Sequence, residues 1–60
     1  MKKITITIKT ENAAFADGPK IEVARILREL ADRIESHEER DWPEFTMDYN
    51  GNRVGKVVVE

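Results

Sequence analysis

The sequence predicts a small α+β domain of order β-α-β-β, with one helix packed on one face of a three-stranded, mostly antiparallel sheet. Three observations predict it. Isoleucines alternate with polar residues near the start, apolar residues recur at helical spacing in the middle, and an Asp-Tyr-Asn-Gly turn separates two β-rich runs near the end.

Residues 3–9 alternate strictly, with Ile4, Ile6 and Ile8 on one side and Lys3, Thr5, Thr7 and Lys9 on the other. A period of two built from β-branched residues is a strand with one wet face. Periodicity then lapses until Asp17-Gly18-Pro19, where a capping side chain and a proline suit the start of a helix. Beyond it, Val23, Ile26, Leu27, Leu30, Ala31 and Ile34 recur at steps of three and four. Glu22, Arg25, Arg28, Glu29, Asp32, Arg33 and Ser36 fill the opposite side, which is the pattern of a helix with one buried stripe. Arg25 with Glu29, Arg28 with Asp32 and Glu29 with Arg33 are opposite charges four apart, which support a solvated helix by about 0.2–0.5 kcal/mol each.

The charged segment 37–44 ends on Trp42-Pro43-Glu44, and proline pushes the residue before it out of the helical region, so this segment returns the chain to the sheet. Asp48-Tyr49-Asn50-Gly51 then suits a type I turn closing on a left-handed glycine, between Phe45, Thr46 and Met47 and a run from Val54 to Val59. Pairing Asp48 with Asn52 groups Phe45 and Met47 with Val57 and Val59 and leaves Val54 and Val58 on the outer face with Thr46. A two-residue Asn50-Gly51 turn would group them with Val54 and Val58 instead. The preferred topology places the last strand in the middle, antiparallel to both neighbours; a parallel crossover is the alternative.

Sixty residues form one domain, residues 1–60, and a chain of this length buries only about 60% of the surface its unfolded form exposes. With 40% hydrophobic and 37% charged residues it is neither a disordered tail nor a linker. The absence of cysteine excludes a disulfide scaffold and fits a cytoplasmic location. The alternation after Met1-Lys2-Lys3 breaks any apolar core of a signal peptide, and no apolar run reaches bilayer length, so no membrane role is expected. A net charge of -2 weighs against nucleic acid as a partner.

The inventory for catalysis is poor, and neither an enzyme nor a cofactor is expected. His37 is the single histidine, placed where a helix C-terminus favours a cation. Glu38 and Glu39 beside it have no second His or Cys to select zinc. Asp48, Asn50 and Asn52 alternate as calcium-loop ligands do, but the glycine stands fourth rather than sixth and Val59 occupies the twelfth position, so turn chemistry explains them. Lys3, Lys9, Arg53 and Lys56, with Tyr49 for stacking, are candidate nucleic-acid contacts; protection of strand edges by lysine is the simpler reading. Phe15, Trp42, Tyr49, Val54 and Val58 are candidate partner-binding residues, the two valines through an outward apolar strip.

Asn12-Ala13-Ala14-Phe15, Glu22-Val23-Ala24-Arg25-Ile26-Leu27 with Leu30-Ala31, and Asp48-Tyr49-Asn50-Gly51-Asn52-Arg53-Val54-Gly55 together resemble a group of short uncharacterised phage and prophage proteins. The resemblance spans most of the chain and carries no activity. It implies a cytoplasmic accessory product that binds a host protein. The expectation is therefore a non-catalytic protein-binding module, with a second copy of the chain as one candidate partner, and a small nucleic-acid binder as the alternative.

Overall fold

The computed structural model describes residues 3–38 and 41–60. In chain order these form strand β1 (Ile4–Ile8), a 3-10 turn (Ala13–Phe15), helix α1 (Pro19–Ser36), strand β2 (Phe45–Met47) and strand β3 (Arg53–Val59). The sheet order is β1-β3-β2, antiparallel throughout, so the expected β-α-β-β arrangement with a central last strand is the one observed. The parallel crossover is not.

Pro19 opens α1, where its missing N–H costs nothing and its fixed φ suits the first turn. The N-cap is Gly18, and its carbonyl accepts the N–H groups of Ile21 and Glu22. The expected capping side chain of Asp17 makes no such bond. At the other end His37 turns extended, its N–H donating to the carbonyls of Arg33 and Ile34 and its ring Nδ1 lying against the Arg33 oxygen. The histidine thus satisfies the helix end, as its sequence position suggested.

Ala14, Phe15, Ile26 and Val54 form the buried cluster, with Ile8 and Val23 packed against it, and Leu30 and Val57 are buried as well. The 3-10 turn exists to deliver Phe15 inward. Its backbone closes through Phe15 N–H to the Asn12 carbonyl, 3.0 Å, and the Asn12 amide is tied to Asp48 across the molecule at 3.1 Å.

The hairpin turn is the predicted one, with Asp48 N–H donating to the Asn52 carbonyl, Gly51 N–H to the Asp48 carbonyl, and Gly51 at φ 85°. Met47 faces Arg53 across the strands, but the next pairs are Thr46 with Gly55 and Phe45 with Lys56. A bulge therefore inserts one residue at Val54, and a one-residue shift exchanges the faces of everything beyond it. This corrects two expectations. Val54 lies in the core at 5% exposure rather than on the outer face, and Thr46 is buried beside it. Phe45, in turn, shares its face with Lys56 rather than with Val57 and Val59. Gly55 is what lets the strands close here, because a Cβ at this position would stand 2.5 Å from the Thr7 carbonyl oxygen.

Candidate functional site

Two buried carboxylates draw attention first, because burying a charge requires compensation. Glu22, placed by its sequence pattern on the solvent side of α1, is 6% exposed. Arg25 forks onto it, Nε to Oε1 at 2.7 Å and Nη2 to Oε2 at 3.0 Å, and the Tyr49 N–H donates to Oε2 at 2.9 Å. Arg25 also donates to Glu29 and to the Met47 carbonyl, fastening this flank of the helix to β2. The Arg25 fork holds the Glu22 carboxyl below its ordinary range, against the desolvation that would raise it.

Asp48 is equally enclosed. Its Oδ1 accepts the N–H groups of Asn50 and Asn52, both at 2.9 Å, and its Oδ2 accepts the side-chain amides of Asn12 and Asn52. Desolvation pushes its carboxyl up, but the donors from Asn52, Asn12 and Asn50 outweigh it and the net direction is down. Both acids are held by donors of the fold on both carboxylate oxygens. They pin the helix and the loop to the hairpin turn, where Asp48 takes the N–H groups of Asn50 and Asn52 and the Asn52 side-chain amide. Among the described residues no group of three or more His, Asp or Glu could hold a metal. Glu39, considered beside His37, and Lys2 of the basic start lie outside the described residues. No described helix is long and apolar enough to cross a membrane.

The partner-binding candidates scatter. Phe15 is core, as is Val54. Trp42 is half-buried at the far end of α1, in a hollow with Ile34, His37 and Asp41. Tyr49 stands exposed beside Ile21 at the near end. Val58 alone keeps its place on the open face, half-buried.

The apolar surface that does lie open is on the other side of the sheet. Ile4 and Ile6, at 39% and 40% exposure, belong to the face that the helix covers. A helix is about 10 Å across and strands lie about 4.8 Å apart, so one helix shields two strands well and a third poorly. Arg25 ties α1 to β2 through the Met47 carbonyl, and β1, on the opposite edge of the sheet, keeps Ile4 and Ile6 exposed. The flank of α1 opposite Arg25 carries Leu27, 44% exposed, and Ala31. The result is an apolar strip along an edge strand. Lys3 and Glu60 exchange both backbone hydrogen bonds and Lys9 N–H reaches the Val54 carbonyl, so residues 3, 5, 7 and 9 face β3. The N–H and C=O groups of Ile4, Ile6 and Ile8 then point away from the sheet. Nothing in sequence singles out this strip, because the three isoleucines read as core.

The open face carries Thr5 and Thr7 of β1 with Lys3 and Lys9 flanking it, and Lys56 and Val58 of β3, with Phe45 opposite Lys56. Thr7, Lys9, Arg53 and Lys56 line a shallow hollow of about 260 Å³ there. The Arg53 guanidinium carbon lies 3.9 Å from the centre of the Phe45 ring. Three of the cations proposed from sequence are thus brought together, while Tyr49 is not beside them. Compared with protein-family models, curated proteins and solved structures, the chain gives no match.

Proposed function

We propose that this chain is a non-catalytic protein-binding module that uses the β1 edge. The observation that supports this reading is the coincidence of exposed Ile4, Ile6 and Leu27 with a row of backbone donors and acceptors that point away from the sheet on one strand. Strand addition draws on both at once: the ladder supplies hydrogen bonds and the side-chain strip supplies apolar burial. The occupied carboxylates Glu22 and Asp48 support the non-catalytic part. The resemblance to phage and prophage proteins adds a setting, with a bacterial host protein or a second copy of the chain as the partner.

A photo-crosslinking side chain at Ile6, introduced in the producing cells, tests it. Discrete adducts are expected from Ile6 and none from the same group at Asp32 on the solvent side of α1; adduct mass separates a second copy from another protein. Equal labelling from both positions, or adducts that persist when Ile4→Lys accompanies the probe in a chain with unchanged circular dichroism, overturns the proposal.

A further inference from the structure

The cations of the open face pose a question that edge protection does not answer. Lysine beside an edge strand limits pairing with other chains at the strand's ends, and Lys3 and Lys9, which flank β1, fit that role while leaving the Ile4–Ile8 edge between them open. Lys56 and Arg53 do not, because β3 is the central strand and both its edges are occupied. Among the described residues Lys9, Arg53 and Lys56 form no ion pair; the ion pairs present belong to Arg25 on the helix side. Among the described residues Glu60 lies opposite Lys3 at the far end from the hollow, and Asp41 and Glu44 line a neighbouring hollow with Lys56 without forming an ion pair with it. A chain of net charge -2 has therefore gathered three cations, in no ion pair among the described residues, around Thr7 in a shallow hollow of the open face.

The aromatic in this patch is Phe45, which sequence reading had assigned to the other face and which the Val54 bulge brings round beside Lys56. Arg53 lies against its ring at 3.9 Å, and Arg33 approaches the same ring from α1 at 5.9 Å. A guanidinium held on a phenyl ring is pre-oriented and still presents an outer planar side, on which a nucleobase can stack while neighbouring lysines meet its phosphates. From this juxtaposition we infer that the open sheet face binds single-stranded nucleic acid, with Arg53 on Phe45 as the base platform and Lys9 and Lys56 as the phosphate contacts. The site lies across the sheet from the apolar strip, so either can fail without the other.

Fluorescence anisotropy of a labelled oligothymidylate reads this directly. Two phosphate-neutralising contacts give a slope of log affinity against log salt of roughly -1.4, so a fourfold rise in salt weakens binding roughly sevenfold. Lys56→Gln is expected to reduce the slope by about 0.7. Phe45→Leu, which removes the ring and keeps the charge, should weaken binding roughly tenfold with the slope unchanged. Lys20→Gln on the helix is the control and should change neither. No binding at low salt overturns the inference. So does an affinity for inorganic polyphosphate equal to that for the oligonucleotide together with an inert Phe45→Leu, since that outcome leaves charge alone. Circular dichroism confirms that each variant is folded.

Discussion

Truncating Val54 and Val58 separately tests the bulged register, because the two valines would be equivalent outer-face residues in an unbroken ladder and are opposites in the observed one. Val54 is 5% exposed and packed with Phe15 and Ile26. Val54→Ala removes two methyl groups worth about 0.8 kcal/mol each, plus a cavity term, for a total of roughly 2–3 kcal/mol. Val58 is half-buried and pairs with Thr5 on the open face, so Val58→Ala should cost about 1 kcal/mol or less. Unfolding entropy scales with length, and in a 60-residue chain each kcal/mol lowers Tm by about 8 °C. Thermal melts followed by circular dichroism should therefore separate the variants by roughly 10 °C or more, Val54→Ala melting first. Melting temperatures within a few degrees of each other, or the reverse order, would refute the bulge and the placement of Val54 in the core.

Two further predictions concern buried polar groups. The Thr46 hydroxyl is buried with no hydrogen-bond partner among the described residues, so Thr46→Val, of the same shape, should raise stability by about 1 kcal/mol in urea denaturation; a lower midpoint would mean that the hydroxyl has a partner. Glu22 and Asp48 have folded pKa values below their ordinary 4.5 and 3.8, so the stability they contribute is present above those values and is lost as pH falls through the folded ones. Urea midpoints should hold near neutrality and fall below about pH 4.5, less steeply in Glu22→Gln measured against its own neutral value; an identical pH profile in that variant would show that Glu22 is not linked to folding.

Much of the fold is legible in local pattern. The isoleucine alternation, the proline that opens α1 and the Asp48 to Asn52 turn are written in residues whose preferences act within a few positions, and each element stands where those preferences place it. The candidate sites are less so. Glu22 reads as a surface residue because helical spacing shows only which side it is on; its burial depends on Arg25 and on Tyr49, twenty-seven positions away. Ile4 and Ile6 read as core because alternation marks a face as apolar without saying how much of it a single helix will cover.

The sequence by itself determined the element order, the helix limits and the turn, since steric and hydrogen-bonding preferences of neighbouring residues suffice for these. Only the tertiary structure decided which side chains are left to act. One inserted residue at Val54 turns that valine inward and Phe45 toward Lys56, and α1 is tied to β2 while Ile4 and Ile6 of β1, on the opposite edge, stay exposed. Both are outcomes of long-range packing, in which a close contact such as Gly55 against Thr7 selects among registers that the local pattern leaves nearly equal in energy.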